Sequence, residues 1–407
     1  VLEKLEALVA AGATVIGPKP LQVPGRRDLA RRTARLKSLA DKMWGAGDGK
    51  AVRVRTYEKG KVVSGMTPRQ WLARQGIGPD FRCETEGANL DYIHRQTNHR
   101  QTDEADIYFI RNESLSAVSA DCLFRVQDRR PWLWHPDTAE VEPIPAYRST
   151  GDGTALCLDL PAGGSVFVVF EAENEPESIV AWQRRYAQPD PSMPPARMVA
   201  REAATTAIET WQNGEYHLDD GEGGEKSLRV NDLPAPKSVE GPWNVAFTRG
   251  WGAPDKITLP RLMSWTEHEL EGVRYYSGAG VYSKTIEVPS DWLGTERRVL
   301  LDLGEVREVA EVHVNGKSAG VLWKPPFAID VTSLLKPGTN SVEIEVMNMW
   351  INRLTGDMGR PAEERFCKTN QTPYASDVEP GSGETWKVQP SGLLGPVRLL
   401  PGLIVVP

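Results

Sequence analysis

Three groups of residues in this chain have the types and spacing to do chemistry. The first is His94-Arg95, followed closely by Asn98, His99 and Arg100 and then by the apolar run Asp106-Ile107-Tyr108-Phe109-Ile110. An imidazole exchanges hydrogen bonds with a hydroxyl, and a guanidinium holds a carboxylate or a hydroxyl pair in its fork. A polar loop before a buried strand is where open α/β sheets bind ligands. A salt-bridged loop fixing a domain interface uses the same residues, and for His99 and Arg100 that is the preferred reading. The second group is aromatic: Trp265, Tyr275, Tyr276, Trp323 and Trp350. Flat aromatic faces stack on sugar rings, but large aromatics more often serve burial. The third is the polar stretch Asn348, Asn352, Arg353 and Asp357. It suits contact with another domain, a cation, or closure of a fold, although calcium takes about six to eight oxygen ligands and this stretch alone supplies fewer.

Carboxylates are too numerous to be diagnostic, with 55 Asp and Glu in 407 residues. Glu84 and Glu86 sit in a loop beside Gly87 and read as solvated loop acids. The four cysteines, Cys83, Cys122, Cys157 and Cys367, are scattered without a CxxC or metal spacing, so disulfides are allowed but not implied. Asn112-Glu113-Ser114 matches a glycosylation sequon, a pattern common by chance. The net charge of -7 lacks the basic footprint of a nucleic-acid binder. No run of about 18 apolar residues marks a membrane span. Neither GxGxxG nor GxxxxGK[ST] occurs, so nucleotide binding has no support.

These residues need elements to position them. Leu2, Leu5, Leu8 and Val9 have helical spacing, Gly12 caps that helix, and Ala13 to Gly17 reads as a short buried strand. An Arg/Leu-rich helix is expected from Asp28 to Trp44, with Leu29, Leu36 and Leu39 on one face. Strands at Val52-Val54 and Val62-Val63 flank a turn, and Thr67-Pro68 opens another helix as N-cap and N1. Helices alternating with short strands predict an open, Rossmann-like α/β sheet over residues 1–112. From about Ser114 strands take over. Leu156, Leu158 and Leu160 alternate strictly, and Ser165 to Phe170 is a strong strand, giving a small β-sandwich over 113–172. Residues 173–204, acidic and then Pro-rich, read as a linker. Over 205–407 short strands are separated by turn chemistry, with hairpins expected at Asn213-Gly214 and Asn315-Gly316. The fold class is therefore mixed, a partial α/β domain followed by all-β domains.

Three stretches resemble the glycoside hydrolase family 106 α-L-rhamnosidases. One is Leu8 to Pro20. Another is Tyr92-Ile93-His94-Arg95 with Asp106 to Asn112. The longest runs through Ser264-Trp265-Thr266-Glu267, Val312-His313-Val314-Asn315-Gly316-Lys317, Leu322-Trp323-Lys324-Pro325-Pro326-Phe327, and Asn348 to Asp357. The resemblance implies that the last part is a galactose-binding-like, jelly-roll β-sandwich. It also implies a full-length enzyme that hydrolyses terminal α-L-rhamnose in plant or bacterial polysaccharides through two acids on a barrel, with calcium allowed for. The catalytic acids are expected upstream of Val1, and none is assigned here. The chain begins with Val1 inside a helical pattern and is expected to be an accessory part, inactive alone, whose partners are carbohydrate and the missing barrel. The alternatives are a carbohydrate-binding module and a purely structural sandwich. The expected substrate-binding residues are His94, Arg95, Trp265, Trp323 and Trp350; no metal ligand and no certain cofactor is assigned. A periplasmic or secreted location is expected over a cytoplasmic one.

Overall fold

The structure is a computed structural model. It describes residues 1–45, 51–97, 105–171, 181–186 and 200 as backbone, 190, 192–199, 206–219, 224–358, 360–367 and 387–406. These form two compact units, 1–80 and 81–407. The architecture is mixed and mostly β.

In the first unit the helices Leu2–Ala10 and Leu29–Trp44 accompany a three-stranded sheet. Thr14–Ile16 runs parallel to Gly60–Ser64, which forms an antiparallel hairpin with Arg53–Tyr57. Val9, Met43, Tyr57 and Val62 make its core. The long helix buries Leu39, Ala40 and Met43, whereas Leu29 is exposed. The apolar stripe is thus confined to the last turns, where the sheet is. Thr67 caps Pro68–Arg74 with a full capping box: Gln70 N donates to the Thr67 hydroxyl, and the Gln70 side chain accepts from Thr67 N.

The α/β expectation holds only to residue 80. The strands Phe81–Cys83, Leu90–Thr97 and Ala105–Asn112 lie in the following β unit, not in an open α/β sheet. Phe81–Cys83 pairs with Val118–Phe124 in a four-stranded sheet. Leu90–Thr97 and Ala105–Asn112 pair with each other, and the latter with Ser165–Glu171, in a five-stranded sheet. The two sheets share a core containing Tyr108, Ile110, Phe124, Leu156, Leu158, Leu160 and Phe170. Period-two alternation places the three leucines on that inner face. Asn112 of the sequon is buried, and its amide nitrogen donates to the Ser116 and Pro161 carbonyls, so it is not free to take a glycan.

The expected linker is partly built into the fold. Ala181–Tyr186 pairs with Gly214–Asp219, and Arg197–Ala200 pairs with Thr206–Thr210. Met193 and Ala196 are buried, because an extended Pro-rich segment can still join a sheet at its edge. Residues 173–180, 187–189, 191 and 201–204 lie outside the described residues.

The last part packs two six-stranded sheets on one core that includes Trp243, Trp265, Tyr282, Val299, Ile344 and Leu399. The two Asn-Gly dipeptides behave differently. Asn315 and Gly316 have φ of 52° and 75° and turn the hairpin between Val309–Val314 and Lys317–Leu322. Neither Asn213 nor Gly214 takes positive φ, and no hairpin forms there. Thr206–Thr210 and Gly214–Asp219 instead join different sheets. The corner is held by the Tyr216 hydroxyl, 2.7 Å from Thr210 Oγ1 and donating to the Gln212 carbonyl at 2.9 Å.

Candidate functional site

Three polar or aromatic regions of the second unit are candidates. The first is built on the paired strands that carry His94 and Asp106. His94 stands opposite Tyr108 in register and stacks on its ring, with centroids 4.1 Å apart. His94 Nε2 lies 2.8 Å from Asp106 Oδ1, which also accepts from Gln96 Nε2 at 2.8 Å, while Arg129 Nη1 donates to Oδ2 at 3.1 Å. A carboxylate surrounded by three donors is well satisfied and well fixed. Arg95 does not join it. Adjacent residues on a strand point to opposite faces, so Arg95 is exposed on the outer side. The expectation of a joint His94-Arg95 site is corrected on this ground. Asn98, His99 and Arg100 lie outside the described residues.

The second region is a cleft of about 520 Å³ where the small β unit meets the strand Arg197–Ala200 and Lys324. Its volume is in the range of small-ligand sites, about 300–1,000 Å³. His135 Nε2 lies 2.9 Å from Glu142 Oε1, and Lys324 Nζ lies 2.6 Å from Asp137 Oδ2. Burial pushes the Glu142 carboxyl up, but the His135 hydrogen bond and the Arg197 charge outweigh it and hold it below the usual range. Burial likewise opposes the Arg197 charge, yet Glu209 at 2.6 Å and the nearby Glu142 hold the guanidinium above its usual value. Glu209 is itself buried between Arg197 and Arg298, whose Nε is 3.2 Å away. Sequence reasoning did not find this cleft. His135 and Asp137 read as turn residues, and nothing local ties positions 135–142 to 197 and 324.

The third region is one end of the last sandwich. Val309 pairs with Met347, and Ala310 with Leu322, so the strands Gly338–Met347 and Lys317–Leu322 run out at the same end. Trp350 and Trp323 follow them and are 55% and 57% exposed. Trp350 meets Trp251 edge to face at 5.5 Å, and Lys324 Nζ covers one face of Trp323 at 5.1 Å. Trp265 does not belong to this surface. It is 1% exposed, T-shaped against Phe247 and Tyr276 and stacked on Tyr282. Its place in the expected binding set is corrected, because burial took the whole ring. Tyr276 is equally buried.

Beneath Trp350 the helix Ile351–Met358 carries the polar stretch seen in the sequence. Asn348 accepts from Gly278 N and donates to the Tyr276 carbonyl, and Asn352 bridges to Gln389. These are loop-closing bonds. Arg353 is buried over the Phe366 ring at 4.5 Å. Its Nε is 3.2 Å from Asp357 Oδ1, yet among the described residues none of its guanidinium nitrogens has an aligned acceptor. Burial pushes Arg353 below the ordinary guanidinium range, more than Asp357 offsets. Among the described residues no group of three or more His, Cys, Asp or Glu converges to hold a metal. No helix among them is long and apolar enough to cross a membrane.

Residues 1–149 match glycoside hydrolase family 106, described as alpha-L-rhamnosidase, and the resemblance read from the sequence is thereby borne out. A solved rhamnosidase from Novosphingobium sp. PP1Y is 30% identical, covers 98% of this chain and superposes with a TM-score of 0.65. A curated protein of Formosa agariphila named "Putative beta-glucuronidase" is 24% identical over 98% of this chain. The chain spans 49% of the length of that relative and 32% of the solved rhamnosidase.

Proposed function

We propose that this chain is the accessory, C-terminal part of a glycoside hydrolase that removes terminal α-L-rhamnose from plant or bacterial polysaccharides. In this reading a catalytic barrel elsewhere in the full-length protein supplies the two acids, and calcium, if used, binds there. One observation carries the proposal: nearly the whole chain superposes on a third of a rhamnosidase. The charges support it. A general acid in glycoside hydrolysis needs a raised carboxyl pKa. Glu142, in the cleft, is shifted the opposite way, and Asp106 is committed to three donors. Such acids hold architecture together. The test is turnover of an aryl α-L-rhamnoside. The full-length enzyme is expected to hydrolyse it and the isolated chain is not. Turnover by the chain that vanishes on replacing one of its own acids would overturn the proposal.

A second reading, that the last sandwich also binds saccharide, rests on the exposed Trp323 and Trp350 at one end. Because Lys324 occupies one face of Trp323, Trp350 is the freer platform. Titration of the chain with rhamnose-containing oligosaccharides should quench Trp fluorescence, and Trp350→Ala should remove the response. An unchanged response in that variant would reject this surface as the binding face.

A further inference from the structure

We propose that Cys83 and Cys122 form a reversible cross-strand disulfide that staples an edge strand to its neighbour. Cys83 stands directly opposite Cys122 in the antiparallel pairing of Phe81–Cys83 with Val118–Phe124. On the next rung Glu84 N donates to the Asp121 carbonyl at 2.8 Å, which marks a hydrogen-bonded pair. Rungs alternate, so Cys83 and Cys122 form a non-hydrogen-bonded pair, where Cα atoms approach to about 4.5 Å. Disulfides span Cα separations of about 4.4–6.8 Å, so the pair is bridgeable from the short end of the range. Directly opposed side chains share a face, and here both thiols face the sandwich core: Cys122 is buried in it and Cys83 packs against it. In this structure both are free thiols.

The other cysteines are placed differently. Cys157 pairs with Asp121, one residue out of step, and so lies on the opposite face beside Ser119. Cys367 belongs to the last sandwich, ten residues beyond Asp357, whose carboxylate accepts its N–H. Access favours one order of events. Phe81–Cys83 is the outer strand of its sheet and Cys83 is half-buried, whereas burial pushes the Cys122 thiol well up and keeps it protonated. With a low-molecular-weight disulfide as oxidant, the Cys83 thiolate attacks one oxidant sulfur and expels one thiolate. Cys122 then loses its proton and attacks the Cys83 sulfur, expelling the second. Two cysteine thiols are oxidised, one external disulfide is reduced to two thiols, and the protons pass to them. Cys83 lies on the edge strand and is only half-buried, which keeps the bridge within reach of a reductant, and exposed disulfides are the readily reduced ones.

The experiment uses the whole chain, incubated with oxidised glutathione, denatured, alkylated with iodoacetamide and read by mass spectrometry. The expected result is a mass loss of about 2 Da before alkylation, as two thiols become one disulfide, and a peptide joining Cys83 to Cys122. Dithiothreitol should restore all four alkylable thiols. The Cys157→Ser/Cys367→Ser double variant should keep the cross-link and Cys83→Ser should lose it. Four alkylated thiols after oxidation, a glutathione adduct on Cys83 that never resolves, or a cross-link to Cys157 or Cys367 would each overturn the assignment.

Discussion

Asp106 in the small β-sandwich and Arg353 in the last one are both buried charges, but their surroundings differ. Three donors, two from one strand and one from a loop, converge on the Asp106 carboxylate. Arg353 has its carboxylate four residues along the same helix, within 3.2 Å but out of line, and rests mainly on an aromatic ring and on Gly252 and Gly356. Distance alone does not make a useful ion pair. Buried charges stabilise a fold only when their hydrogen-bonding capacity is also met. The Asp106 cluster is therefore read as a keystone of its sandwich, and Arg353 as a costly packing element under an exposed aromatic surface.

That comparison can be broken by measurement. Asp106→Ala strands three donors and is expected to destabilise the second unit by about 3–5 kcal/mol, the usual cost of breaking a buried pair; a loss below 1 kcal/mol in urea denaturation, on the scale of about 0.5 kcal/mol for surface changes, would remove its keystone role. His94→Ala removes one bond to a charged group and should cost about 1.5–3 kcal/mol. If the proposed full-length hydrolase is assayed, this variant should lose melting temperature with turnover per folded molecule unchanged; a fall in turnover would return His94 to the substrate-binding set expected from the sequence. Arg353→Met/Asp357→Asn removes both poorly aligned charges and keeps an acceptor for Cys367 N, so stability should stay within about 1 kcal/mol of the parent, since buried pairs replaced together are often neutral. A loss as large as that of Asp106→Ala would erase the contrast.

The smallest effect is expected at Glu142. Its folded carboxyl is held below its ordinary value, so it binds fewer protons folded than unfolded. Its stabilisation is present above the ordinary carboxylate pKa and is lost as pH falls through the lower folded value. Melting temperature followed from neutral to acid pH should fall less steeply for Glu142→Gln than for the parent. Identical slopes would show that His135 and Arg197 do not act on Glu142.

How much of this was legible in the sequence depended on the range of the interactions. The Thr67 N-cap with Pro68 behind it, the alternation of Leu156, Leu158 and Leu160, and the Asn315-Gly316 turn are set within a few residues, and each formed as its pattern demands. The family resemblance was equally legible, because it rests on motifs. What failed turned on partners far away in the chain. Asn213-Gly214 carries the same dipeptide as Asn315-Gly316, but its flanking strands are claimed by different sheets. Residues 81–112 look like the tail of an α/β pattern until their pairing with Val118–Phe124 and Ser165–Glu171 is known.

The sequence by itself determined the local elements, the mixed mostly-β class and the likeness to rhamnosidases, since periodicity, caps and motifs are written in adjacent residues. Only the tertiary structure decided which tryptophans are surface and which are core. It also put His94 and Arg95 on opposite faces, assembled the cleft around Glu142 and set Cys83 opposite Cys122. Each of those outcomes depends on strand register and sheet order, which bring together side chains that no spacing along the chain connects.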